Sequence, residues 1–148
     1  LLQNGLAQYG IEGILAKTGL RAYAQMVSAL KQGRIVFVMM DQGVQQAETG
    51  LMQRFLGKDA AMPAGPAQLA RAARAPLLPV TTTAAEPVWR FEIQPPVLLG
   101  QGSLASDVER LVQLTEQQVR QHPQLWSWHH RRWRKLPLAT TPPPVASS

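Results

Sequence analysis

The densest group of chemically capable side chains lies near the carboxyl end of the chain. Two histidines and four Lys or Arg residues occupy seven consecutive positions: His129, His130, Arg131, Arg132, Arg134 and Lys135. Guanidinium groups form paired hydrogen bonds with phosphate oxygens, so the three arginines are candidates for binding a phosphorylated ligand or an acidic partner. The alternative is a solvated basic helix end, with Trp126, Trp128 and Trp133 packed in the core or placed at a membrane interface.

Asp41 is the acidic residue that we consider a candidate for the functional site. It follows the apolar run Ile35–Met40, which has the length and composition of a strand buried on both faces. The carboxyl ends of such strands usually carry the sites of open α/β sheets. Asp41 and Gln42 are therefore interpreted as site residues, or equally as residues that cap the next turn through side-chain hydrogen bonds to the backbone.

Two further positions could contact an anionic group. Gly65 and Pro66 open a predicted helix, whose first backbone N–H groups would be available to an anion or an oxyanion, although such a pair often only forms the turn before a helix. Arg21 begins an earlier predicted helix. It is a candidate substrate contact, or alternatively an ordinary surface arginine.

The hydrophobic pattern indicates the elements that would position these residues. Apolar side chains at helical spacing predict a helix over residues 20–32, a second that opens at Gly65-Pro66-Ala67 and is broken by Ala75-Pro76, and another from about Ser106 to Gln121. Residues 77–83 and 88–93 are predicted to form two strands of a hairpin, the second half-buried. Residues 44–63 are interpreted as a long loop around an apolar island at residues 55–57.

Composition narrows the class of protein. A chain of 148 residues that is 45% hydrophobic is sufficient for one domain, and the absence of cysteine excludes disulfides and thiolate metal sites. No apolar run approaches the roughly 18 residues of a membrane span. The net charge of +6 favours anionic partners, namely nucleic acid, phosphorylated lipid or an acidic membrane surface.

Four segments in order resemble the bacterial lipid A biosynthesis lauroyl/myristoyl acyltransferase family. The first is Ala29–Gly33 leading through the apolar run to Asp41-Gln42, and the second is Arg54-Phe55-Leu56-Gly57. The third is Met62–Ala67 with Leu69-Ala70-Arg71 and Ala75–Val80. The fourth runs from Pro123 to Trp128 and through His130–Arg134 to Pro137, which is similar to the family's terminal W-x-H-R-R-(W/F)-K signature. The resemblance covers the chain to about Pro137, with the weakest match before Gly19.

The resemblance implies transfer of a fatty acyl chain from acyl carrier protein to a hydroxyl of a lipid A precursor or related phosphorylated glycolipid. It also implies that the protein acts at the cytoplasmic face of the bacterial inner membrane and that it uses no metal or cofactor. The expected fold is α/β, a layered and mostly parallel central sheet flanked by helices, of the glycerolipid-acyltransferase type. Residues 1–136 are assigned to the carboxy-terminal part of that domain and residues 137–148 to a disordered tail rich in Pro, Ser and Thr.

The family's catalytic motif, H-x4-D/E, does not occur in this sequence. Ser127, Arg134 and Lys135 stand five positions after the three histidines. The chain is therefore expected to match only the later half of the family, to lack the catalytic histidine and to be inactive alone. His130 matches the terminal signature, but its tryptophan neighbours favour a structural role.

Two other hypotheses remain open. One is a non-catalytic basic module that binds nucleic acid or anionic lipid, which the Arg/Trp cluster and the net charge suggest. Nucleic acid is the less favoured partner, because the basic residues are concentrated at one end and no nucleic-acid motif is present. The other is a degenerate family member that only binds lipid.

Overall fold

The structure is a computed structural model that describes residues 6–14, 19–42, 44, 50–85, 87–129 and 133. Within these ranges the chain forms a small α/β domain with three α-helices and two antiparallel hairpins. The helices are α1 (Leu20–Lys31), α2 (Gly65–Ala73) and α3 (Leu104–Gln121). The strands are β1 (Gly50–Phe55), β2 (Lys58–Pro63), β3 (Val80–Ala85) and β4 (Val88–Ile93), and a 3-10 turn occupies Pro123–Leu125.

Helix α1 confirms the prediction over residues 20–32. It ends where Gly33 adopts a positive φ of 77°, a conformation that costs glycine little. The Gly33 N–H donates to the Leu30 carbonyl and the Arg34 N–H to the Ala29 carbonyl, each at 3.0 Å. These two bonds satisfy carbonyls that the end of the helix would otherwise leave without donors.

Residues 50–63 form a hairpin, so the prediction of a long loop is wrong for this part. Strands β1 and β2 pair from Gly50↔Pro63 to Phe55↔Lys58 around the two-residue turn Leu56-Gly57. Both turn residues have positive φ, 50° and 81°, which is the backbone of the tight hairpin turns that match the twist of the strands. Leucine is unusual at the first position of such a turn, so the residue types at Leu56-Gly57 do not predict a turn.

Helix α2 begins at Gly65 with Pro66 in its first turn and ends before Arg74, as predicted. The following strand was predicted at 77–83 and lies at Val80–Ala85, preceded by an isolated bridge between Leu77 and Val97. Strand β4 lies at the predicted positions and pairs with β3. It is exposed along its whole length, however, and the prediction that it is half-buried is wrong.

Helix α3 starts earlier than predicted. Its N-cap is Ser103, whose hydroxyl accepts a hydrogen bond from the Ser106 N–H at 3.1 Å, rather than Ser106 itself. Both positions are serine, and a hydrophobic pattern alone does not distinguish a cap from the first turn. The helix ends at Gln121, as predicted, with His122 as its C-cap.

The core lies between the β1–β2 hairpin and helices α2 and α3. Its completely buried larger side chains are Phe55 and Met62 from the hairpin and Val108 and Val112 from α3. Small residues, Ala60, Ala64 and Ala67, allow close approach of the strand and α2 to α3. Burial of each large side chain contributes about 1.5–3 kcal/mol, so this interface holds the two helices and the hairpin in fixed positions.

The run Ile35–Met40 is not a strand, contrary to the prediction. Ile35 is 92% exposed and Phe37 is 76% exposed. A strand requires a neighbour for its N–H and C=O groups, and no strand in the described residues lies beside this run. For the same reason the described part of the chain shows two separate antiparallel sheets and no layered parallel sheet. The predicted tail, residues 137–148, lies outside the described residues.

Candidate functional site

Asp41 and Gln42 precede Val44, which packs against the open end of the β1–β2 hairpin. A Cβ added to Gly50 would lie 2.8 Å from a methyl group of Val44 and 3.1 Å from the Met62 carbonyl oxygen, so Val44 packs against this end. Three residues of extended chain span at most about 11 Å, which limits how far Asp41 can lie from Val44. Asp41 is partly buried and Gln42 is exposed.

The first turn of α2 lies at the same end. Pro63, the last residue of β2, pairs with Gly50 and leads through buried Ala64 into Gly65 and Pro66. No side chain caps this helix, and its first turn contains no acidic residue. The Gly65 N–H therefore has no capping side chain. Of the next two residues, Pro66 has no N–H and Ala67 is completely buried, which leaves Gly65 as the backbone donor of interest. An anion could bind here through the Gly65 N–H and the positive end of the helix dipole.

Arg21 lies in the first turn of α1, two residues before Tyr23 and about 200° around the helix from it. The Tyr23 hydroxyl donates a hydrogen bond of 3.3 Å to the Gln68 carbonyl, which joins the first turns of the two helices. Gln68 lies three residues after Gly65, a rise of about 4.5 Å along the helix. Arg21 is exposed, and no ion pair involves it among the described residues.

A partly buried ion pair links α2 to the first turn of α3. The Arg71 guanidinium contacts the Asp107 carboxylate and also donates to the Gly102 carbonyl at 3.0 Å. The same carboxylate oxygen accepts the Gly100 N–H at 2.9 Å. Asp107 is almost completely buried, and a buried charge requires compensation. One guanidinium and one backbone N–H donor supply it here. The pair fixes the direction of α2 and hence the position of its first turn.

The tryptophans of the terminal signature pack on the other end of the hairpin. Phe55 lies between two indole rings, with ring centroids 5.7 Å from Trp126 and 6.0 Å from Trp133. The Trp133 Nε1–H donates to the Phe55 carbonyl at 3.3 Å, and the Glu116 carboxylate accepts the Leu56 N–H. Trp128 differs, because it is 52% exposed and bonds only locally to the Pro123 carbonyl at 2.7 Å.

The predicted site residues thus form two groups. Gly65 and Pro66 lie at the open end of the hairpin, where Val44, three residues after Asp41, also packs, and Arg21 lies in the first turn of α1, which is bonded to the first turn of α2. The terminal signature is anchored at the turn end, about 16 Å away at 3.3 Å per residue along β1. His130, Arg131, Arg132 and Arg134 belong to that signature by sequence but lie outside the described residues, so their role stays a prediction.

Sequence reasoning missed the residues that connect these parts. Arg71 was noticed only as part of a family segment and Asp107 only as part of a helix start, whereas they form the link between α2 and α3. Tyr23 was assigned to an apolar face and Glu116 was not singled out. The available signal was that Asp107 stands four residues before Leu111 and so on the apolar side of α3, because a buried carboxylate requires a cationic partner.

Comparison with known proteins identifies the class of this domain. A family model described as bacterial lipid A biosynthesis acyltransferase matches residues 13–135. The chain belongs to that family. It is also 29% identical over 104 residues to the phosphatidylinositol mannoside acyltransferase of Mycobacterium tuberculosis, in two strains, CDC 1551 / Oshkosh and ATCC 25618 / H37Rv. That similarity covers 70% of this chain and 32% of each relative, so the matched region spans about a third of the curated relatives' length.

Proposed function

We propose that this chain is part of an enzyme that transfers a fatty acyl group to a hydroxyl of a phosphorylated glycolipid. The observation that carries the proposal is the family match over residues 13–135, which includes both groups of predicted site residues. The mycobacterial relative is named as an acyltransferase of a mannosylated phosphatidylinositol, also a glycolipid. We infer that the acceptor is a lipid A precursor or a related glycolipid, and that acyl carrier protein supplies the acyl group.

The open end of the β1–β2 hairpin supplies substrate contacts in this proposal. Arg21 binds an anionic group of the acceptor or donor, and the Gly65 N–H stabilises negative charge at the start of α2. Asp41 orients the catalytic base or binds the acceptor hydroxyl, and Gln42 adds a polar contact. These roles are supported by the pairing of Gly50 with Pro63, which leads into Gly65, by the contact of Val44 with Gly50, and by the Tyr23–Gln68 bond between the first turns of α1 and α2.

The terminal basic segment is the proposed contact for phosphate. In the sequence, Arg131, Arg132 and Arg134 follow Trp126 and flank Trp133, and both tryptophan rings contact the Phe55 ring. Their charges suit glycolipid phosphates or the acidic surface of acyl carrier protein. The net charge of +6 also suits an anionic membrane, and we place the enzyme at the cytoplasmic face of the inner membrane. No helix in the described ranges has the length and apolarity to cross a bilayer.

No residue of this chain fits the family's motif for the general base. No histidine here is followed five positions later by an acidic residue. Deprotonation of an acceptor hydroxyl requires such a base within hydrogen-bonding reach. We therefore propose that the isolated chain binds substrate but does not turn it over. The whole enzyme would also contain the layered parallel sheet of the glycerolipid-acyltransferase type.

Binding of the chain to a phosphorylated lipid A precursor tests the phosphate contacts directly. The triple variant Arg131→Gln, Arg132→Gln, Arg134→Gln is compared with a charge-matched control, Arg34→Gln, Arg74→Gln, Arg120→Gln, which removes three exposed arginines elsewhere. We expect about a tenfold or larger loss of affinity for the first variant alone, since each charge-assisted bond contributes about 1.5–3 kcal/mol. Equal losses in both variants, or equal affinity for the dephosphorylated lipid, would overturn the proposal.

A further inference from the structure

One face of the β3–β4 hairpin has no covering element in the described part of the chain. The register places Val80 opposite Ile93, Thr82 opposite Phe91 and Ala84 opposite Trp89. Because side chains alternate along a strand, these residues share one side of the hairpin. We call this side the hairpin face: Val80, Thr82, Ala84, Trp89, Phe91 and Ile93.

The hairpin face is apolar, aromatic and uncharged. Trp89, Phe91 and Ile93 are 65%, 70% and 69% exposed, and no ionisable residue is among its members. Large side chains in a row on an exposed strand favour a partner that removes them from water. At about 25 cal/mol per Å² of apolar area, three such side chains provide a substantial driving force for association.

The opposite side of the hairpin is the one turned toward the body of the protein. The Gln118 amide of α3 donates a 2.8 Å hydrogen bond to the Thr81 hydroxyl, whose neighbours on that side are Thr83, Arg90 and Glu92. Arg90 and Glu92 are 4.0 Å apart and both are exposed. The hairpin face therefore points away from α3 as a separate surface.

Cationic and apolar side chains extend from the base of the hairpin. Leu78 precedes β3 and Leu98 follows β4, and both are at least half exposed. The Arg110 guanidinium of α3 donates to the Leu98 carbonyl at 3.3 Å, so a positive charge lies beside the base. Aromatic side chains with flanking arginines suit the boundary between the acyl chains and the anionic head groups of a bilayer.

We propose that the hairpin face docks on the surface of an anionic phospholipid bilayer, with Trp89, Phe91 and Ile93 entering the interfacial region. This docking rests on the proposed function, because an enzyme that acylates a membrane glycolipid must reach it at the bilayer surface. The net charge of +6 favours an anionic bilayer. A nucleic acid fits less well, since the face carries no cation among its aromatic side chains to contact phosphates.

Flotation with vesicles tests the docking without any acyl transfer, so a failure of the catalytic proposal would not affect the result. The wild-type chain is mixed with vesicles of phosphatidylcholine and phosphatidylglycerol, and with phosphatidylcholine alone. The double variant Trp89→Ser, Phe91→Ser removes the aromatic side chains of the face. The matched control, Ile35→Ser, Phe37→Ser, removes two apolar side chains elsewhere that are even more exposed, 92% and 76%. Circular dichroism verifies that each variant is folded.

We expect the hairpin variant to lose about tenfold or more in vesicle partitioning, whereas the control loses about twofold at most, because the transfer free energy follows the apolar area that is buried. A conservative variant, Trp89→Phe, Phe91→Leu, should retain most of the binding. Absence of vesicle binding by the wild-type chain, equal losses in the hairpin and control variants, or a face that instead mediates dimerisation or oligonucleotide binding would overturn the proposal.

Discussion

The Trp133 indole donates a hydrogen bond of 3.3 Å to the Phe55 carbonyl while its ring lies against the Phe55 ring with centroids 6.0 Å apart. These residues are 78 positions apart in sequence. Phe55 is completely buried and Trp126 packs on it as well. Trp126 and Trp133 therefore pack on Phe55 beside the turn of the β1–β2 hairpin, which gives these two tryptophans a structural role next to the basic residues of the sequence.

Trp133→Ala should lower the free energy of unfolding by about 2–4 kcal/mol, because it removes both the ring contact and the hydrogen bond. Urea denaturation measures the loss. Trp128→Ala is the control, since that residue is half exposed and bonds only to a neighbouring turn, and its effect should stay near 1 kcal/mol or below. Equal losses in the two variants would contradict the anchoring role of Trp133.

Arg71→Met should destabilise the fold by about 3 kcal/mol, because it leaves the nearly buried Asp107 carboxylate without its cation. Arg120→Met is the matched control. Arg120 lies 3.7 Å from Glu116 but is 66% exposed, and such surface pairs contribute less than about 1 kcal/mol. Thermal unfolding of both variants distinguishes the two cases. A loss for Arg71→Met no larger than that of the control would show that the buried pair does not hold α2 on α3.

Gly57→Ala should cost about 1–2 kcal/mol through backbone conformation alone, since Gly57 has φ of 81° and no atom lies within 4 Å of an added Cβ. Gly65→Ala has equally open space but no positive φ, and it should be neutral or stabilising by up to about 1 kcal/mol. Denaturant midpoints of the pair measure the difference. If both variants behaved alike, the turn conformation at Gly57 would not be the cause.

Local elements were predictable where a residue type determines backbone geometry. Gly33 and Pro66 marked the end of α1 and the start of α2, and the spacing of Val108, Leu111 and Val112 identified the buried face of α3. The β1–β2 hairpin was missed because Leu56 occupies a turn position that usually carries Asn, Asp or Gly. Ile35–Met40 was predicted to be a buried strand because an apolar run indicates burial. Such a run carries no information about a partner strand, and the prediction therefore failed.

The candidate site was predictable in part. Asp41, Gln42, Gly65 and Pro66 could be selected from their sequence neighbours, but the position of Gly65 and Pro66 at the open end of the hairpin depends on the pairing of Gly50 with Pro63, and that pairing could not be read from a segment interpreted as a loop. The Arg71–Asp107 pair likewise depends on the packing of two helices. Long-range contacts of this kind arise from the fold as a whole.

The central claim is that Asp41 and the start of α2 belong to an acyltransferase active site. The most direct test is acyl transfer from acyl carrier protein to a lipid A precursor by the full translation product of the gene, wild type against Asp41→Asn. We predict activity that falls by about 100-fold in the variant, as expected for the loss of a group that orients a catalytic base, with unchanged thermal stability. The control is Asp59→Asn, an exposed carboxylate at the other end of the hairpin, which should retain full activity. No transfer by the wild type, or full activity in Asp41→Asn, would contradict the claim.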